Sequence, residues 1–227
     1  ELIRTEMVEL QLDAYVIPHA DEYLGEYVPP QNERLAWISG FTGSAGTVVV
    51  LKNSAAIFVD GRYTLQVRQQ VSSDAFQYHH LISEPPVHWL AQNLSQGARV
   101  GVDSRMHTYA WFSAAKQTLA ESTIDLVEVL ANPIDRNWHD RPIPEQQLAM
   151  LLGEEFTGEH SETKRARIAG TINRVGADVA LITQLDSIAW LLNIRGLDVP
   201  RLPVILAFAT LDKTGSMVVY TDPRKLP

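Results

Sequence analysis

The sequence predicts an α/β protein made of two tandem α/β units, each with a mixed sheet flanked by helices, the second incomplete. Three observations carry this reading. Short apolar segments alternate with segments of helical periodicity up to about residue 130. The stretch Trp37 to Tyr63 contains two largely β-branched runs, Thr47 to Leu51 and Ala55 to Val59, around the polar pair Asn53-Ser54, which reads as strand, turn, strand within a sheet. Finally, one order of elements occurs twice: a helix, an Asp-led apolar strand (Asp13 to Ile17; Asp178 to Ile182), a short helix containing Ala-Trp (Ala36-Trp37; Ala189-Trp190), a glycine turn and a strand.

Taken in order, Leu2, Ile3, Met7, Leu10 and Leu12 recur at near-helical spacing, and Asp13 to Pro18 follows as a strand stopped by proline. The polar, proline-broken run from His19 to Arg34 crosses the surface. A short helix over Arg34 to Ile38 ends at Gly40, where a left-handed residue is wanted. After the hairpin come a helix over Tyr63 to Val71, a strand over Phe76 to Ile82, a helix over Val87 to Leu94 and a strand over Ala98 to Val102. A helix over Tyr109 to Leu119 and a strand over Ile124 to Val129 close a first domain at 1–130. Prolines and charges mark 131–160 as a connector pinned by Trp138. The second unit, 161–227, opens with a helix over Thr163 to Val175 and a strand over Ala177 to Ile182. A helix over Leu185 to Leu192 follows, then strands over Val204 to Phe208 and Met217 to Tyr220, split by the turn Asp212-Lys213-Thr214-Gly215.

Composition narrows the function classes. The formal net charge of −8 argues against a nucleic-acid backbone or an anionic membrane as the main partner. No apolar run is long enough to span a bilayer. With no cysteine, disulfides, thiolate metal sites and a cysteine nucleophile are excluded, which fits a reducing cytosol.

Catalytic signatures do not assemble. The glycines at 40, 43 and 46 do not make G-x-G-x-x-G, and no Lys-Ser/Thr pair follows them, so a phosphate cradle is disfavoured. Ser39 and Ser44 do not sit in a G-x-S-x-G elbow. None of the seven histidines has the H-E-x-x-H spacing, and neighbours His79 and His80 on a strand point to opposite faces. Asp103-Ser104-Arg105 and Asp135-Arg136 read as turn and surface ion-pair residues.

Several separate motifs, in order, carry a family resemblance. Asp13-Ala14-Tyr15-Val16-Ile17, the run Ile38 to Thr47 (ISGFTGSAGT) and Asp60-Gly61-Arg62-Tyr63 resemble the N-terminal domain of the aminopeptidase P family, within the creatinase and prolidase superfamily. Val102-Asp103, Asn132-Pro133-Ile134-Asp135 with Trp138, Asp140, Arg141 and Pro142, and the run Leu185 to Val199 resemble the long, three-domain form. The resemblance implies the N-terminal, non-catalytic part of a cytoplasmic Xaa-Pro aminopeptidase, which releases the first residue of a peptide whose second is proline. It implies a homodimer, and a C-terminal domain outside this sequence that holds two divalent metal ions, usually manganese, for metal-assisted hydrolysis. On that reading no residue of this chain is catalytic or a metal ligand. An alternative is a non-catalytic binding module of the same fold, as in histone chaperones of the superfamily; a third is a prolidase or creatinase relative.

Two charged turns remain as candidates for contact with substrate or another domain. Arg62, and Arg195 with Asp198, each stand beside a glycine at the end of an element, where a fork-shaped cation can meet a carboxylate. Arg195 is expected either to clamp Asp198 internally or to be presented outward.

Overall fold

The computed structural model describes residues 1–144 and 147–226. They form two compact units, Glu1–Glu26 with Pro30–Pro142, and Tyr27–Pro29 with Ile143–Pro227.

The first unit begins with α1 (Leu2–Glu9), whose buried Ile3 and Met7 hold it to the sheet. Strand β1 (Ala14–Pro18) follows, then α2 (Arg34–Ser39), which stops at Gly40 with φ of 77° as the sequence requires. The hairpin β2 (Gly46–Leu51) and β3 (Ala55–Val59) is antiparallel. Then come α3 (Thr64–Gln70), β4 (Gln77–His80), α4 (Pro86–Asn93), β5 (Arg99–Val102), α5 (Tyr109–Glu121), β6 (Asp125–Glu128) and α6 (Pro133–Asn137). The six strands run in the order β4-β3-β2-β1-β5-β6. The pairs β3/β4, β1/β5 and β5/β6 are parallel, so the sheet is mixed.

Side-chain alternation sends the strand residues into two cores, one on each face. Tyr15, Ile17, Val48, Val50 and Ile57 face α1, α2, α3 and α6 through Ile3, Leu35, Val67 and Ile134. Ala14, Val16, Val49, Ala56 and Phe58 face α4 and α5 through Leu90, Ala115 and Leu119. Burial on both faces explains why these strands read as continuous apolar runs.

The stretch expected as a connector is divided between the two units. Asn132 caps α6, accepting from the Ile134 N–H at 2.9 Å, and donates to Asp103 at 3.0 Å. Trp138 stacks on Trp37 with centroids 6.0 Å apart, and Arg141 donates to the Asn32 side chain at 2.9 Å. Residues 132–142 therefore clasp the first unit.

The second unit holds β7 (Met150–Leu151), α7 (Glu154–Thr157), α8 (Ser161–Arg174), β8 (Val179–Ile182), α9 (Leu185–Leu192), β9 (Ile194–Arg195), β10 (Phe208–Asp212) and β11 (Met217–Tyr220). Three strands make an antiparallel sheet ordered β11-β10-β8, and β7 pairs with β9. The strand expected over Val204 to Phe208 is instead an irregular segment, with β10 starting at Phe208. Val204, Ile205, Leu206 and Ala207 are all buried, so their apolarity reflects core burial rather than strand pairing. Their backbone bonds to the turn at Asp198: the Asp198 N–H to the Val204 carbonyl, and the Leu206 N–H to the Asp198 carboxylate.

The two units share one pattern. Strands β3-β2-β1 of the first correspond to β11-β10-β8 of the second, with the same antiparallel pairings. The pair Ala14/Leu51 corresponds to Val179/Asp212, which puts Tyr15, Val16 and Ile17 opposite Ala180, Leu181 and Ile182 in the comparison. Trp37 and Trp190 each lie three residues before a left-handed helix cap, Gly40 and Asn193. Even an ion pair recurs: Lys52 reaches Asp13, and Lys213 reaches Asp178 at 2.8 Å.

Candidate functional site

A turn of the form Asp-x-Arg follows three strands, and the backbone explains its geometry. After β3, Asp60 accepts from the Arg62 N–H and takes the Arg62 guanidinium on both carboxylate oxygens, the closest contact being 2.7 Å. Asp103 and Arg105 do the same after β5, and Asp222 and Arg224 after β11. In each case the aspartate nucleates a 3-10 turn and the arginine folds back over it. The guanidinium hydrogen bond holds Asp60 and Asp222 below the ordinary carboxylate range. Arg62 stays 68% exposed beside the Tyr63 ring, whose hydroxyl meets Ser44 at 2.8 Å. Arg62 is thus an oriented surface cation.

Arg195 and Asp198 are not partners. Arg195 donates to the Ile194 carbonyl at 2.8 Å and the Ala189 carbonyl at 3.4 Å, at the end of α9. Asp198 is paired with Lys225 at 2.6 Å, the side chains being 2% and 8% exposed. The internal clamp expected from sequence therefore forms with a lysine 27 positions away. Gly196 allows this turn, because a Cβ there would lie 2.4 Å from the Ile205 side chain and 2.8 Å from the Val204 carbonyl.

A buried polar cluster escaped sequence reasoning. The Arg34 guanidinium, 4% exposed, forks onto both oxygens of Asp135 at 2.7 and 2.9 Å. Arg141 reaches the same carboxylate at 3.3 Å. Asp135 thus pairs with Arg34 and Arg141, while the neighbouring Arg136 reaches Glu6 at 2.7 Å. The Arg105 and Asn132 hydrogen bonds outweigh burial and keep Asp103 below the ordinary carboxylate range. The Tyr15 phenol is pushed far up, by burial first and by the charges of Asp103 and Asp135 next. The run Asn132 to Asp135 carried a signal for this cluster, but its partner Arg34 lies 101 residues away.

Nothing in the cluster or the turns supplies a nucleophile or a metal. Among the described residues no group of three or more His, Cys, Asp and Glu side chains could hold an ion. The Ser39 hydroxyl donates to the Leu35 carbonyl, and the Ser44 hydroxyl contacts Tyr63. His79 contacts Glu84 at 2.6 Å, and His107 stacks on Trp111 at 3.7 Å, where burial lowers it to about 4. A dinuclear metal centre does not fit these residues.

Fold and turns together define a tandem α/β scaffold in which each Asp-x-Arg turn carries its own ion pair. The chain belongs to the creatinase/prolidase N-terminal domain family, which matches residues 1–132 and, as a second related domain, residues 140–227. It is 33% identical over 236 residues to Xaa-Pro aminopeptidase 1 of Dictyostelium discoideum, covering all of this chain and 38% of that protein. It is 35% identical over 216 residues to aminopeptidase P1 of Arabidopsis thaliana, covering 95% and 33%. The crystal structure of X-prolyl aminopeptidase from Caenorhabditis elegans, described as a cytosolic enzyme with a di-nuclear active site, superposes with a TM-score of 0.89 at 30% identity, covering 95% of this chain and 35% of that one. The chain spans about a third of the length of these relatives.

Proposed function

We propose that this chain is the amino-terminal, non-catalytic part of an Xaa-Pro aminopeptidase, a hydrolase that releases the residue preceding proline at the start of a peptide. The observation that supports this most is resemblance along nearly its whole length, at 30–35% identity, to enzymes so named. On this reading the chemistry belongs to another part of the polypeptide, which agrees with there being no group of three or more His, Cys, Asp and Glu side chains able to hold an ion among the described residues. There two divalent metal ions, with manganese the first to try, would supply a bound hydroxide and polarise the scissile carbonyl.

This part then frames the peptide entrance and contributes to a homodimer in the cytoplasm. Arg62, whose fork is held by Asp60 while its side chain stays 68% exposed, is assigned to contact with substrate or another domain through its outer edge. Arg195 and Asp198 are assigned to domain contact, Asp198 through the rigidity that Lys225 gives its turn.

The test compares residues 1–227 with the same reading frame continued downstream, assayed on an Xaa-Pro dipeptide with and without manganese. Metal-dependent release is expected from the extended protein alone. Release by residues 1–227, or none by an extended, folded and metal-loaded protein, overturns the reading.

A further inference from the structure

Helix α3 and the edge strand β4 flank a cleft of about 190 Å3 in the first unit, larger than a single water needs. Thr64, Val67 and Arg68 line it from α3, where spacings of three and four residues put them on one helical face. Tyr78 and His80 line it from β4, where alternation puts them on one face of the sheet. The neighbouring His79 ring turns to the other face, against Phe58 at 5.0 Å and Trp89 at 5.3 Å.

The free polar groups at this cleft are donors. His80 Nδ1 accepts the Ile82 and Ser83 N–H groups at 3.2 and 3.3 Å, which leaves the ring proton on Nε2. Nε2 faces Gly61, where even an added Cβ would stay 3.7 Å away. The Arg68 guanidinium lies over the Tyr78 ring, 5.2 Å from its centroid, and the Tyr78 hydroxyl is anchored on the Val71 carbonyl. The Thr64 hydroxyl reaches the Gly61 carbonyl at 3.5 Å, the limit of a hydrogen bond. Among the described residues neither the Arg68 guanidinium nor His80 Nε2 has an acceptor.

The carboxylates that could serve them are engaged elsewhere. Asp60 holds Arg62 on both oxygens, and Glu84, the acidic side chain of the lining, meets His79 at 2.6 Å. Arg68 therefore brings to the cleft a positive charge that no carboxylate offsets. A cationic ligand would be repelled by it, and an apolar one would leave the donors unpaired. An oxygen-rich anion meets both the charge and the donors.

We propose that this cleft binds a small oxyanion, a phosphoryl group or a carboxylate, with Arg68 supplying the charge and the planar fork and with His80 Nε2 and the Thr64 hydroxyl donating to the remaining oxygens. The site is independent of the proposed function, and its test needs no enzymatic activity.

Inorganic phosphate and acetate are titrated separately into the full chain at an ionic strength matched with chloride, and the amide signals of Thr64, Arg68 and His80 are followed by NMR. Saturable shifts with a Kd on the order of 1 mM are expected for at least one of the two anions, a preference for phosphate marking a phosphoryl site and a preference for acetate a carboxylate site. R68A, at an exposed position outside the core, is expected to weaken binding at least about tenfold. R68K, which keeps the charge and loses the fork, weakens it by a smaller factor. Shifts that do not saturate, that chloride alone reproduces, or that both variants leave unchanged overturn the proposal.

Discussion

Lys225 Nζ and Asp198 Oδ2 lie 2.6 Å apart in a nearly dry environment, closing the second unit across 27 residues. Asp198 also accepts the Leu206 N–H at 2.7 Å, so one carboxylate ties the turn after β9 to both the core segment 204–207 and the turn after β11. Removing either partner strands a buried charge. K225M is expected to lower the stability of the second unit by about 3–5 kcal/mol in urea unfolding. R195A, which loses only bonds to two carbonyls, is expected to cost about 1 kcal/mol. Equal losses would show that the Lys225–Asp198 pair stiffens this turn no more than Arg195 does.

The first unit has its own clasp. Arg34 and Asp135 meet through two parallel hydrogen bonds, which a lysine cannot reproduce. R34K should cost about 2 kcal/mol, and D135A, which leaves the guanidinium buried with no carboxylate, about 3–5 kcal/mol. Unfolding followed by Trp37 and Trp138 fluorescence reads both, since these rings stack within the same clasp. A D135A protein as stable as the parent would remove this pair from the account.

These two pairs mark where sequence reasoning stopped. The strands were legible because β1, β2 and β3 are buried on both faces and so read as apolar runs. The helix end at Gly40 and the turn at Asp212 were legible from local chemistry. Val204 to Ala207 misled, since apolarity alone does not separate a strand from a buried irregular segment. Arg34 with Asp135, and Lys225 with Asp198, join residues 101 and 27 positions apart, and no local pattern selects a partner at that distance. Arg195 looked the better mate for Asp198 only because it is near in sequence.

His107 gives a pH dependence whose sign is fixed. Burial lowers it from an ordinary 6.5 to about 4, so below pH 6.5 the unfolded chain binds a proton that the folded chain refuses. Its contribution is full above pH 6.5 and is lost as pH falls to about 4, by about 2 kcal/mol once partial solvent contact is allowed for. Stability of the parent and of H107Q, measured between pH 7 and 4, should differ in slope across this window and run parallel above it. Identical slopes would show that His107 titrates normally.

Gly101 on β5 lies against the side chains of Leu12, Tyr15 and Val129. A Cβ there would lie 2.5 Å from Leu12 Cδ1, 3.0 Å from Tyr15 Cδ2 and 3.2 Å from Val129 Cγ2, all on well-buried side chains with little room to shift. G101A should therefore cost about 1–3 kcal/mol by overpacking, despite alanine's smaller entropy loss on folding. Gly97, with φ of 81° and nothing within 4 Å, separates this effect from backbone strain: G97A should cost about 1 kcal/mol with no steric partner. Shortening Leu12 distinguishes the two further. In a double-mutant cycle, L12V should recover about 1 kcal/mol of the G101A loss and none of the G97A loss, because only the former arises from contact with the leucine methyl. Additive effects at 12 and 101 would mean that the strand, and not the side chain, yields to the new methyl group.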